Sequence, residues 1–326
     1  MMNALEKKFL GEVRARRLVG QGDKVLLAVS GGPDSMALLA LFSSLKPLLH
    51  CELAIVHCNF QLRGSESDAD ECFVREYALT RGLTIFIERF DTLRYAAEWK
   101  KSVEESARIL RYTFFDQVMQ QQGYTTVATG HHVNDNAETI LFNLFRGVSL
   151  PGLRGIRARN GKIIRPMLLL HKAEIMAYLA EKGIASRMDA SNVANDYDRN
   201  FIRNRVIPLI EERFPHKLLP SLRRLSEQAG ELEEFLELYF EALSGRTPGL
   251  SLTDGKLDVQ ALKQLTVFEQ KELFKRALRD MDAPVDARTL QKLVNLLDTH
   301  QGKMVMAGRQ LRVLWKGGAL CFLRDV

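Results

Sequence analysis

The chain has 326 residues, 46 % of them hydrophobic, and its 46 basic and 40 acidic side chains leave a net charge of +6. That is enough apolar material for a large domain plus a smaller one. No run of about eighteen apolar residues occurs, which excludes a membrane-spanning helix, and the charged opening (Glu6, Lys7, Lys8, Glu12, Arg14) lacks the apolar core of a secretion signal.

In chain order, residues 1–20 read as an amphipathic helix of a cytoplasmic protein. The apolar run 24–29 reads as a buried strand, followed by a helix through Met36, Leu38, Leu39 and Leu41. A second strand is expected at 51–58, a polar helix from 65 to 80 stopped by Gly82, and a third strand at 83–90. Ser102 and Glu105 have capping-box spacing for a helix reaching about 122. A fourth strand at 126–129 ends at Gly130, and a helix at 135–145 closes at Gly147. A strand at 163–167 and a helix at 172–181 follow. Strands alternating with helices imply an α/β fold with a doubly wound, mostly parallel sheet, whose ligand sits beyond the strands' carboxyl ends. Ser30 and Gly130 both lie at such ends.

Pro208, Pro215 and Pro220 punctuate the end of this part, so the expected domains are 1–215 and 216–326. Leu218, Leu222, Leu225, Ala229, Leu232, Leu236, Tyr239 and Leu243 recur at spacings of four and three, giving a long helix with a heptad-like stripe. The stripe suits packing within the chain, and a homodimer is the other use of such a seam. Residues 245–255 read as a loop, 268–281 and 287–297 as helices, and 311–323 as a hairpin turning at Gly317-Gly318. The second domain is therefore a smaller α+β unit.

The four cysteines form no C-x-x-C pair, so neither a zinc ribbon nor a redox dithiol is indicated. Residues 139–173 and 299–323 contain no Asp or Glu while carrying several Arg and Lys, including Arg146, Arg154, Arg157, Arg309 and Arg312. Two acid-free basic segments favour a polyanion such as RNA as partner.

The motif Ser30-Gly31-Gly32-Pro33-Asp34-Ser35 lies between a buried strand and a helix. Its glycines allow close backbone approach to a phosphate, and the helix N-terminus adds positive partial charge. Asp34 would repel phosphate unless a bridging Mg²⁺ intervenes. The loop lacks the lysine of a Walker A motif. The segment Ala28-Val29-Ser30-Gly31-Gly32 lacks the first glycine of a hydrolase nucleophile elbow. Further on, Gly130-His131-His132-Val133-Asn134-Asp135-Asn136-Ala137-Glu138 puts Asp135 and Glu138 on one helix face. Such a carboxylate pair could hold Mg²⁺ or a cationic substrate. Three other groups stand out: His57-Cys58-Asn59-Phe60-Gln61-Leu62-Arg63-Gly64; Arg108 with Arg111-Tyr112; and Asp189-x-Ser191-Asn192 followed by Arg199-Asn200-x-x-Arg203 and Pro208.

The first motif resembles the signature of the PP-loop ATP pyrophosphatases. All five groups, in this order, are similar to the catalytic domain of the tRNA(Ile)-lysidine synthetases over roughly residues 20–215. That resemblance implies an ATP-dependent ligase acting in tRNA processing, which joins L-lysine to the cytidine of a CAU anticodon in isoleucine tRNA through an adenylated intermediate. It implies that Ser30, Gly31, Gly32, Pro33, Asp34 and Ser35 bind the ATP phosphates, with Asp34 near Mg²⁺. Ala28, Val29 and His57 would lie near the adenosine, and Arg111, His131 and Arg203 would contact ATP or the cytidine. Asp135 and Glu138 would receive the lysine, and Asp135, Glu138 or His131 would take its proton. Asn134 and Asn136 depart from the family's usual Asp and Gln, and Phe60-Gln61 from its usual His-Gly. The alternatives are a PP-loop enzyme that thiolates tRNA, or a non-catalytic nucleotide- or RNA-binding module.

Overall fold

In this computed structural model, residues 2–148, 150–187, 198–252 and 255–324 are described. The expected alternation resolves into strands β1 (Lys24–Ala28), β2 (Glu52–Asn59), β3 (Thr84–Arg89), β4 (Thr126–Ala128), β5 (Arg159–Asn160) and β6 (Ile163–Ile164). Their sheet order is β3-β2-β1-β4-β6-β5. Five strands run parallel and β5 pairs antiparallel with β6. The expected strand at 163–167 is cut short where Pro166, lacking an N–H, follows Arg165. The chain builds one side of the sheet from β1 through β3 and then returns to place β4 on β1's other flank. The β1–β4 junction is thus the switch point, where such sheets open a crevice.

Side-chain alternation along the strands feeds two cores. Val25, Leu27 and Ile55 face helix α2 (Pro33–Leu49), backed by α1 (Ala4–Ala15). Leu26, Ala54, Val56 and Val127 face the opposite way, against Phe114, Phe115, Val118 and Met119 of α5 (Val103–Gln122). Helix α3 (Ser65–Thr80) has the expected bounds, whereas the short α4 (Thr92–Trp99), capped by Asp91, was not expected. The capping box at α5 is half formed. Ser102 Oγ accepts from the Glu105 N–H at 3.1 Å, while the Glu105 carboxylate pairs with Lys101.

Helices α6 (Val133–Phe145) and α7 (Lys172–Glu181) complete the sheet's cover. Residues 198–213, which carry Arg199 and Arg203, are helical: α8 (Asp198–Phe201), a π turn over Ile202–Val206, and α9 (Ile207–Arg213). Then comes α10 (Leu218–Arg246). The change of compact unit, Met1–Gly230 to Glu231–Val326, falls inside this helix. Leu218, Leu222 and Leu225 pack with Ile140 and Leu141 in the first unit, and Leu232, Leu236, Phe240 and Leu243 pack in the core of the second. The stripe is therefore used within the chain, with Phe240 taking the inward place expected for Tyr239.

The second unit carries an antiparallel sheet of order β7-β10-β9-β8. Its strands are β7 (Lys256–Asp258), β8 (Met304–Met306), β9 (Leu311–Lys316) and β10 (Ala319–Arg324), with helices α11 (Val259–Lys263), α12 (Val267–Asp280) and α13 (Ala287–Leu296). No helix among the described residues is long and apolar enough to cross a membrane.

The two family departures on α6 have structural duties. Asn134 Oδ1 accepts the Lys172 N–H at 3.1 Å, satisfying an otherwise open donor in the first turn of α7. Asn136 Oδ1 accepts the Ile156 N–H at 2.6 Å, and its Nδ2 donates to Ser226 Oγ at 3.3 Å, tying α6 to the turn after it and to α10. Asn136→Ala strands the Ile156 donor and is expected to cost about 1–3 kcal/mol in urea unfolding.

Candidate active site

The strand-to-helix loop after β1 is braced by its two serines. Ser35 Oγ donates to Gly32 O at 2.9 Å and accepts the Ser30 N–H at 3.1 Å, and the two hydroxyls lie 3.2 Å apart. Gly31 has φ +94°, a left-handed conformation that favours glycine. Pro33 opens α2 at a position where no N–H is needed. The loop's outer side is held by Arg187, whose N–H donates to Gly31 O at 2.9 Å.

The second loop, after β4, meets the first at Gly130. A Cβ there would lie 2.9 Å from Asp34 O and 3.3 Å from Ser35 N, both backbone atoms. Only glycine permits this contact without movement, and it brings the start of α6 alongside the start of α2. Basic and acidic side chains alternate there. Lys172 Nζ lies 2.5 Å from Asp34 Oδ1, and His132 Nε2 lies 3.5 Å from the same oxygen. His132 Nδ1 lies 3.5 Å from Asp135 Oδ2, whose carboxylate also accepts the His132 N–H at 2.9 Å. Arg203 Nη2 reaches Asp135 Oδ1 at 3.4 Å and grips Glu138 with two bonds of 2.6 and 2.8 Å.

The electrostatics follow from this geometry. Burial pushes the Asp34 carboxyl up, but His132 and Lys172 together outweigh it and hold the group below its usual range. For Glu138 burial prevails over Arg203, with Asp135 adding repulsion, and the group is raised. Burial pushes His131 down to about 4 against the pull of Asp135, with the cations Arg165 and Arg111 adding to the fall. His131 is therefore neutral near pH 7, and its Nδ1 lies 2.9 Å from Thr129 Oγ1.

Two chambers adjoin these loops. One, of about 670 Å³, is charged and includes Gly32, Pro33, His132, Glu138, Lys172, Arg187 and Arg203. The other, of about 300 Å³, is lined by Ala28, Phe60, Arg111, Tyr112, Phe115 and His131. Ser30, Asp34, Ser35 and Asp135 line both. Gly31 and His57 line neither. His57 is buried behind the loop with Nδ1 2.8 Å from Val29 O. Burial lowers its pKa, so the neutral ring donates from Nδ1 and props the end of β1. Of the two candidate arginines on α5, Arg111 lines the small chamber, while Arg108 lies over the Tyr112 ring. Asp189, Ser191 and Asn192 lie outside the described residues.

Sequence reasoning missed Lys172 and Arg187, and gave His132 no role of its own. Lys172 is 138 residues from Asp34, and nothing local signals the pairing. His132 had a signal, the doubled histidine beside Asp135.

Fold and loops together define a nucleotide-binding α/β protein of the PP-loop class, and residues 4–210 match the PP-loop domain family. The tRNA(Ile)-lysidine synthase of Chlorobaculum tepidum is 54 % identical over 321 residues, 98 % of this chain and 97 % of that protein. That of Parabacteroides distasonis is 39 % identical over 254 residues, 78 % of this chain but 56 % of that protein, so the match spans little more than half of that longer relative. Among solved structures, the U34-tRNA thiolase NcsA from Methanococcus maripaludis superposes with a TM-score of 0.57 at 16 % identity, covering 69 % of this chain and 78 % of that one, a likeness of fold. The chain belongs to the PP-loop family and, within it, to the tRNA(Ile)-lysidine synthases.

Two outcomes are expected. Gly130→Ala forces backbone apart at Asp34, costing roughly 1–3 kcal/mol of stability, and should weaken ATP-analogue binding in fluorescence titrations. His131 binds its proton more weakly when folded than when unfolded, so stability falls as pH drops from about 6.5 towards about 4. His131→Gln should lose less melting temperature than the parent between pH 7 and pH 5.

Proposed function

We propose that this chain ligates L-lysine to C2 of the cytidine in the CAU anticodon of isoleucine tRNA, converting ATP to AMP and pyrophosphate. The observation that carries the reading is the Arg203 guanidinium seated on Asp135 and Glu138, in the same chamber as the phosphate loop. A cation seat beside a phosphate seat is what a reaction between an amine and an adenylated base requires. The ε-ammonium of lysine would replace the guanidinium there.

In the first step the cytosine O2 attacks the α-phosphorus of ATP and pyrophosphate leaves. The loop amides and Lys172 would stabilise the charge that develops. In the second step the lysine nitrogen attacks C2 and AMP leaves with its bonding pair. The amine must first lose a proton. Burial raises the Glu138 carboxyl and makes it more basic, which suits it to accept that proton. The small chamber, with Phe60, Tyr112 and Phe115 on its walls, suits a nucleobase.

Mg²⁺ fits this arrangement as a companion of the triphosphate. No group of three or more His, Cys, Asp or Glu among the described residues could cage an ion, and one carboxylate plus phosphates is an ordinary Mg²⁺ donor set. Asp34 would hold it in place of the Lys172 ammonium, and the ion would neutralise charge on the leaving pyrophosphate.

Thiolation is less well supported. Cys58 does line the small chamber, but burial pushes its thiol up to about 12, so it stays protonated and weakly nucleophilic.

Incubation with ATP, radiolabelled lysine and an unmodified isoleucine tRNA bearing CAU should release AMP and label the RNA; absence of both would overturn the reading. Asp34→Ala should abolish adenylation. Glu138→Ala should reduce lysine transfer far more than ATP-dependent adenylation of the tRNA, and equal loss of both would remove Glu138 from the lysine seat.

A further inference from the structure

Helix α6 does not end its functional face at Glu138. Asp135, Glu138, Phe142 and Arg146 follow at spacings of three, four and four, one above another on a single face. The segment 198–206 runs beside it. Its Arg203 grips Glu138, and one turn earlier its Arg199 lies over the Phe142 ring with the guanidinium carbon 5.7 Å from the centroid. Arg146 lies over the same ring at 5.2 Å. Two guanidiniums thus share one ring, a single helical turn, about 5.4 Å, beyond the carboxylate that holds Arg203.

The surroundings leave these charges available. Residues 139–173 contain no Asp or Glu. Among the described residues neither guanidinium is paired with a carboxylate. Beside them, two aromatic rings face solvent: Phe145 is 64 % exposed and Phe201 52 % exposed. Exposed rings among arginines that have no carboxylate partner among the described residues suit unpaired nucleotides, whose bases stack on rings while their phosphates take guanidinium. Duplex RNA would offer no free base faces to those rings.

We propose that Arg146 and Arg199, with Phe145 and Phe201, seat the unpaired nucleotides that adjoin the target cytidine. This rests on the tRNA reading above. The shelf holds the backbone one helical turn from the acidic pair, so the neighbouring base is delivered to the chambers by its attachment to nucleotides already bound.

The test is equilibrium binding of the full chain to an isoleucine tRNA transcript with CAU, followed by anisotropy across a salt series, which needs no turnover. Arg146→Gln and Arg199→Gln should each weaken binding roughly three- to tenfold at about 0.15 M salt, and lower the slope of log affinity against log salt by about 0.7 per lost contact. Melting temperature and ATP-analogue affinity should not move, and Arg146→Lys should recover most of the slope. Phe145→Ala and Phe201→Ala should weaken binding to the tRNA but not to an RNA duplex without a loop. A folded double arginine variant with unchanged affinity and slope overturns the seat, whatever the catalytic result. Parent protein that binds this tRNA with the expected dependence on the arginines, yet incorporates no lysine, supports the seat and overturns the ligase reading alone.

Discussion

The arrangement depends on one close approach, the backbone of Gly130 against the carbonyl of Asp34. A methyl group at that point would lie inside the contact distance of three backbone atoms, and backbone cannot rotate away as a side chain can. The approach sets how near the first turns of α2 and α6 come. It also places His132 between Asp34 and Asp135, because that histidine is two residues on from the glycine. The remaining members attach to this pair: Lys172 through α7, itself held by Asn134, and Arg203 through the π turn. π turns are uncommon inside helices and recur at functional sites.

The alternating run of Lys172, Asp34, His132, Asp135, Arg203 and Glu138 is poorly explained as a stabilising device. Buried ion pairs return little beyond their desolvation, and Glu138 remains raised although Arg203 binds it twice. What the run provides is placement. Each cation fixes the rotamer of the next carboxylate, so that acidic groups stay apart from one another yet close to a phosphate loop. Removing Arg203 would leave Glu138 buried without its partner, whereas Asp34 beside Lys172 is about one-third exposed, 34 %.

Much of the sheet was legible in sequence because strand burial has a period of two and the helices between have a period near 3.6. The bounds of α3 and α7 came out unchanged, and the phosphate loop announced itself through Gly31, Gly32 and Asp34. What escaped was either short or long-range. Strands β5, β7 and β8, each two or three residues long, were not anticipated. Lys172 and Arg187 act on Asp34 and Asp70 across 138 and 117 residues, and no local pattern encodes that. At Asn134 and Asn136, which depart from the family's usual residues, the side chains bond backbone and a serine.

The two chambers share four residues, and that sharing constrains where chemistry can occur. On the proposed reading, a base held among Phe60, Tyr112 and Phe115 and an amine held by Asp135 and Glu138 would meet beside the residues common to both chambers, Ser30, Asp34, Ser35 and Asp135. On that reading the α-phosphorus would lie beside these shared residues, reached by cytosine O2 from the small chamber and leaving its pyrophosphate towards the charged one. Lysine and Arg203 then compete for one acidic pair. Arg203 must release Glu138 before the amine is seated, and its guanidinium is freed into a chamber holding phosphate. On that reading, lysine in the acidic seat would free the Arg203 guanidinium to face the triphosphate.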